Sequence, residues 1–310
     1  MLSRVAENIY WLARYVERAE NTARLINVHT NLMLDLPRIA QPGWEPIIDI
    51  LGSKADFLQH HENTDERNVL KYLVSETTNP SSIFSSMSLA RENCRTIRDI
   101  IPREAWERVN DLYMFAKGNS QKGISKRGRY DYCQGVITGA QAMTGLLAGT
   151  MLHDDGYDFL KMGRNLERAD MTTRIIDVRS ASLLEQGHED LTPFENIQWM
   201  SVLKSLTAYQ MYRRTIQVRV RRPDVLKFLL KERRFPRAFY HAICEVEGCL
   251  QQLPSNTDAL KLVGKVQKMV LSADPAVLEQ QQLHDFIDVL QLGLADIHGM
   301  IADTYFLHGQ

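Results

Sequence analysis

Residues 9–28, IYWLARYVERAENTARLINV, and residues 159–178, FLKMGRNLERADMTTRIIDV, align without a gap at an offset of 150. Arg14, Glu17, Arg18, Ala19, Thr22, Arg24, Ile26 and Val28 recur as Arg164, Glu167, Arg168, Ala169, Thr172, Arg174, Ile176 and Val178. Beneath the charges lies an apolar seam. Val5, Ile9, Leu12, Val16, Ala19, Ala23 and Ile26 alternate spacings of four and three, as do Phe159, Met162, Leu166, Ala169, Thr173 and Ile176. That spacing returns to one helix face every two turns and marks a heptad-like packing seam. Two such seams must be buried against other helices. The expected fold is therefore all-α, a multi-helix bundle with an internal pseudo-duplication centred on the two ER-motif helices.

The rest of the chain agrees. The patterning predicts further helices at 45–59, 65–76, 83–100, 103–116, 130–152, 194–221, 223–231, 236–252, 257–271 and 281–307, with the ER helices over 3–34 and 155–186. Asn79-Pro80-Ser81-Ser82 is a start signal for the helix at Ile83, and Pro102, Pro223 and Pro236 suit first turns. The basic, glycine-punctuated stretch 117–128 reads as an exposed loop. No run of alternating β-branched residues argues for a sheet. One domain over 1–310 is expected, its pseudo-repeat halves meeting near residue 150.

A net charge of −1 supplies no global field for nucleic acid or a membrane surface. Cys94, Cys133, Cys244 and Cys249 form no CxxC, and charges punctuate the N-terminal segment every few residues. Both point to a cytoplasmic protein without a secretory leader. Tyr132–Leu152 carries no charge and is long enough to span a bilayer, but holds Gln134, Thr138, Gln141, Thr144 and Thr150. It reads as a central buried helix of the bundle, with Gly135/Gly139 and Gly145/Gly149 allowing close approach.

At about 100° per residue, Ala13, Glu17, Glu20 and Arg24 form a narrow stripe beside the seam. The second copy presents Gly163, Glu167, Asp170 and Arg174. Each stripe has a small residue one turn before its first acid. Arg18 and Arg168 lie about 100° further round and are expected to reach a different helix or a partner. Two readings remain open. Glu17, Glu20, Glu167 and Asp170 could hold an amine or take its proton, while Arg18, Arg24, Arg168 and Arg174 bind carboxylate or phosphate in one shared cavity. Alternatively, the clusters are buried ion-pair locks that fix how two helices dock. Arg14, Arg164, Arg91, Asn93 and Arg95 form an outer set of candidates.

Other chemistry is absent or weak. There is no GxxxxGK and no GxGxxG, so no cofactor-binding motif is recognisable and any ATP is held by another domain or protein. A single ExxH, Glu185/His188, does not make a di-iron bundle, and no metal site is expected. The nine histidines, from His29 to His308, show no ligand spacing. Between 213 and 237, ten Lys/Arg face Asp224 and Glu232, while the stretch from 238 on has nine acids and three lysines. This is a solvated face or a protein-docking surface rather than a nucleic-acid interface.

The chain resembles the bacterial alpha-E family, helical domains of unknown function with an ER motif. The resemblance covers essentially the whole chain. It rests on LSRVAENIYWLARYVERAENTARLI at the start, SSIFSSMSLARENCRTIR at 81–98, GLLAGTMLHDDGYDFLKMGRNLERADMTTRIIDV at 145–178 and HDFIDVLQLGLADIHGMIADTYF at 284–306. LLKERRFPRAF at 229–239 is similar to the family's proline-arginine segment without its aspartate-proline start. The resemblance implies a companion of circularly permuted ATP-grasp proteins, with transglutaminase-like proteins as frequent neighbours. The implied function is that of an accessory or co-catalytic subunit in ATP-dependent amide ligation of amino acids or small peptides. The alternative is a purely structural adaptor whose ER clusters are buried ion-pair locks.

Overall fold

The computed structural model describes residues 2–184, 192–216 and 219–306. These fold into fifteen α-helices and one short 3-10 turn, with no strand among the described residues. The ER helices are α1, Ser3–Asp35, and α9, Asp155–Leu184. Between them come α2 (Glu45–Ile50), α3 (Lys54–His60), α4 (Glu66–Val74), α5 (Ile83–Thr96), α6 (Arg103–Gly118), α7 (Ser120–Ile124) and α8 (Arg129–Thr150). After α9 come α10 (Thr192–Ser205), α11 (Tyr209–Ile216), α12 (Arg222–Lys231), α13 (Phe239–Leu250), α14 (Thr257–Ser272) and α15 (Gln280–Tyr305).

The seams are where the periodicity puts them. Ile9, Leu12, Ala19, Ala23 and Ile26 are buried, as are Phe159, Met162, Leu166, Ala169 and Ile176. Around each ER helix the packing order repeats. α1 packs on α5 and α8, and α6 bridges those two. Likewise α9 packs on α13 and α15, and α14 bridges them. Ser82 caps α5 as its sequence suggests, accepting a bond from Ser85 N–H.

Three segments differ from the sequence expectation. The helix over 45–59 divides at Gly52, whose φ of +63° leaves the helical region. The helix over 194–221 divides at Thr207, φ +55°, a left-handed backbone that a β-branched residue adopts only under strain. The loop at 117–128 contains the short α7.

A fourth correction concerns α8. It is amphipathic rather than central. Cys133, Val136, Ile137, Ala140, Met143 and Leu147 are buried, while Gln134, Thr138, Gln141, Gly145 and Gly149 are exposed. Only the first glycine pair meets another helix. A Cβ at Gly135 or Gly139 would strike Phe115 or Leu112, whereas Gly145 and Gly149 face open space. Uncharged composition misled because short polar and small residues satisfy a solvent face without charge. No helix among the described residues is long and apolar enough to cross a membrane.

Candidate functional site

The two ER helices lie side by side, parallel and in register. Tyr10 meets Gly163, Arg18 meets Glu167, and His29 meets Arg179. Gly163 makes the approach possible: a Cβ there would sit inside the van der Waals envelope of the Tyr10 carbonyl oxygen.

This register explains the motif. In a parallel, two-fold-like pair, a position on one flank of the first helix meets the opposite flank of the second, as at the e and g positions of a parallel coiled coil. Glutamate and arginine, one residue and about 100° apart, straddle the contact line. Each glutamate then meets the other helix's arginine. Arg18 donates to Glu167 through Nε (2.6 Å) and a terminal nitrogen (3.0 Å), and Arg14 donates to the same carboxylate at 2.8 Å. Reciprocally, Arg168 Nε lies 3.0 Å from Glu17 Oε1. Arg18 and Arg168 thus do reach a different helix, and that helix is the other ER helix. They form the reciprocal contact itself.

The exchange is not symmetric. Arg164, the counterpart of Arg14, is not ion-paired with Glu17, and its buried Nε finds no hydrogen-bond partner among the described residues. Arg237 takes that place instead, 2.8 Å from Glu17 Oε1. It also donates to Glu20 at 2.8 Å and to Asn21 at 2.7 Å. Arg24 donates twice to Glu20 and once, at 2.6 Å, to the hydroxyl of Thr207. Thr207 thus holds an arginine from within its strained backbone.

Burial and charge set the proton affinities. Burial works to raise the Glu167 carboxyl, but Arg18 and Arg14 outweigh it and hold it at about 2. Glu17 is likewise lowered, burial being overcome by Arg168 and Arg237. Burial pushes the Arg237 guanidinium down, against the attraction of Glu17 and Glu20. Arg164 is lowered too, by burial and then by its neighbour Arg168. The cluster contains seven guanidiniums (Arg14, Arg18, Arg24, Arg164, Arg168, Arg174, Arg237) and four carboxylates (Glu17, Glu20, Glu167, Asp170).

The depressed Glu167 value yields a pH prediction. An unfolded glutamate has a pKa near 4.5. Below it the unfolded chain binds the proton more readily than the folded one, so stability rises with pH in this window. This carboxylate's contribution, on the order of 3 kcal/mol, is complete above about pH 5 and is lost as pH falls toward about 2. Urea melts across that range should show a steep acid-side decline that is shallower in Glu167→Gln. Equal slopes would remove Glu167 as the group responsible.

The cavity beside the ER pair does not face both stripes. The faces between the helices are filled by ion pairs. A cavity of about 270 Å³ opens on one side, lined by Glu20, Arg24 and Arg168 with Gln141, Thr144, Thr207 and Arg237. Leu206, Phe235 and Pro236 complete its wall. Arg14, Glu17, Arg18, Glu167, Asp170 and Arg174 do not line it. Asp170 pairs with Arg174 at 2.8 Å, and Arg174 packs against Gly52. Arg91, Asn93 and Arg95 stand apart, on α5. Arg91 donates to Asn110 and stacks over Trp106 and Tyr113, while Arg95 pairs with Glu92 in solvent.

Sequence reasoning missed Arg237, Thr207, Gln141 and Thr144 as site residues. The proline before Arg237 and the polar residues in the uncharged stretch of α8 were the only signals. Of the metal arguments, Glu185 and His188 lie outside the described residues, as does His308. His284 and Asp177 do meet at 2.8 Å with Asp288 nearby, on a half-exposed flank away from the cavity.

Comparison with known proteins supports the same feature. No solved structure matches the chain significantly. An uncharacterized protein of Mycobacterium bovis and two of Mycobacterium tuberculosis are 21% identical to it over 97% of its length. The chain spans only 36% of the length of these relatives. A family described as "a predicted alpha-helical domain with a conserved ER motif" matches residues 1–306. With nearly every residue matched and both ER motifs at the centre of the packing, the chain belongs to the Alpha-E family.

Proposed function

We propose that this protein is a helical accessory subunit of an ATP-grasp-dependent amide ligase system acting on amino acids or small peptides. The observation that carries the reading is the cavity beside the ER pair, which sets one carboxylate, Glu20, among three guanidiniums. An amine and a carboxylate or phosphoryl group are the partners such a wall fits. The family resemblance supplies the ATP-grasp partner, which would hold the nucleotide. The greater length of the curated relatives fits a helical unit that works beside other parts.

Glu20 is the carboxylate that faces this cavity, where it accepts from Arg24 and Arg237. Glu17 and Glu167 are held ionised by paired arginines and are poor bases at neutral pH. A second reading, the structural adaptor, is favoured by the buried ion pairs that Glu17 and Glu167 make across the two helices. The readings separate at Thr144, which lines the cavity and makes none of the ion pairs.

The test begins with capture of the full chain from its native cell and assay of the complex with ATP and amino acids. We expect an ATP-using partner and amide formation, reduced at least tenfold by Thr144→Met with an unchanged melting temperature. A complex that ligates equally well with the cavity plugged would favour the adaptor. A capture containing no ATP-dependent ligase activity would overturn the proposed role.

A further inference from the structure

We propose that the cavity between α1, α8, α9 and the Phe235–Arg237 turn binds one oxyanion, a carboxylate or a phosphate, gripped by Arg168, Arg237 and Arg24. The assignment rests on reading this cavity as the chain's substrate-facing site and names what it takes.

Three observations converge. First, the local charge does not close. Arg24, Arg168 and Arg237 have two carboxylates between them, Glu17 and Glu20, leaving one positive charge on nearly buried side chains. Their side chains are 11%, 15% and 10% exposed, so water screens that charge poorly. An unpaired buried charge is costly, and an anion in the adjoining space removes the cost.

Second, donors remain. Arg168 Nε lies 3.0 Å from Glu17 Oε1 but off the hydrogen-bond line. A guanidinium edge matches two oxygens of a carboxylate or phosphate. Thr144 and Gln141 add a hydroxyl and an amide on the opposite wall, from α8.

Third, the space is real and of suitable size. The volume, about 270 Å³, lies just below the range of about 300–1,000 Å³ usual for small-ligand sites. It is open to solvent, with Gln141, Thr207 and Pro236 of its lining exposed. The apolar wall of Leu206 and Phe235 excludes water from one side and strengthens the guanidinium attraction. The ring of Thr207, Arg24 and Glu20 holds the rim in place through the 2.6 Å bond from Arg24 to the strained threonine.

The test is thermal melting of the full chain at constant ionic strength, with inorganic phosphate or acetate replacing chloride. We expect a saturable rise in melting temperature. Its half-saturating concentration should increase at least tenfold in Arg168→Gln and in Thr144→Phe. The second variant fills the cavity without touching an ion pair, so it remains informative if the first fails to fold. Saturation by phosphate at lower concentration than acetate assigns a phosphoryl group, and the reverse assigns a carboxylate. No rise with either ion, or an unchanged half-saturation in Thr144→Phe, overturns the proposal. Ion binding without ATP-dependent ligation in the native complex would remove the ligase role and leave this site standing. Ligation without ion binding would do the opposite.

Discussion

Glu167→Gln is expected to destabilise the protein by about 3–5 kcal/mol, the range for removing one partner from a buried ion pair. Glu167 is 2% exposed and accepts three hydrogen bonds, from Arg14 and Arg18. Glutamine keeps the shape but removes the charge, leaving two guanidiniums without a counterion. Arg14 also stacks over Trp11, at 4.9 Å, and Arg18 over Tyr15, at 5.6 Å, so neither moves freely to solvent. The measurement is urea unfolding of the variant beside wild type. Adding Arg18→Gln to Glu167→Gln should cost less than the sum of the single changes, because the second removes a charge the first has orphaned. A single-variant loss below about 1 kcal/mol, the value of an exposed pair, would mean the exchange between the ER helices is only superficial.

The second large effect is one of sign. Gly163→Ala and Gly145→Ala are the same substitution inside two long helices. Helix propensity alone favours alanine by about 1 kcal/mol at each site. At Gly145 nothing lies within reach of the new methyl, so Gly145→Ala should stabilise by up to about 1 kcal/mol. At Gly163 the methyl meets the main chain of α1 at Tyr10, which no rotamer change can relieve. The helices must separate, and overpacking of this kind costs about 1–3 kcal/mol or more, so the propensity gain is outweighed. Separation also lengthens the Arg18–Glu167 and Arg168–Glu17 contacts. Gly163→Ala should therefore lower the melting temperature while Gly145→Ala raises it. Equal shifts in the two variants would show that α1 and α9 do not approach as closely as the geometry requires.

These effects arise in the feature the sequence displayed most openly, yet their form was not legible there. Seam residues such as Ile9, Ala19, Met162 and Ala169 were readable as core because periodicity alone determines which side of a helix can be buried. Glu20 and Arg24 were readable as neighbours because i and i+4 share a face. The role of Arg18 was not. Measured around its own helix it points away from the acid stripe, and its destination depends on the direction and hand of the neighbouring helix. Arg237 was less legible still. It lies more than two hundred residues from Glu17 in a segment with no repeat, and the fold after α12 carries it into the core. Thr144 and Gln141 stood in a stretch whose lack of charge suggested burial, while the exposed side of α8 satisfies its backbone internally and needs no charge.

By itself, the sequence determined the helices, their buried faces, the duplication and the membership of glutamate and arginine in one motif. All of these follow from local spacing, which is fixed by 3.6 residues per turn wherever the helix is placed. Tertiary structure alone decided that α1 and α9 lie parallel and in register, that each glutamate meets the opposite arginine, and that Arg237 displaces Arg164. The reason is that spacing sets an angle about one helix axis, while a contact needs the relative position of two axes. That position is imposed by the helices packed around the pair, by the glycine that lets them close, and by the need to neutralise every buried carboxylate.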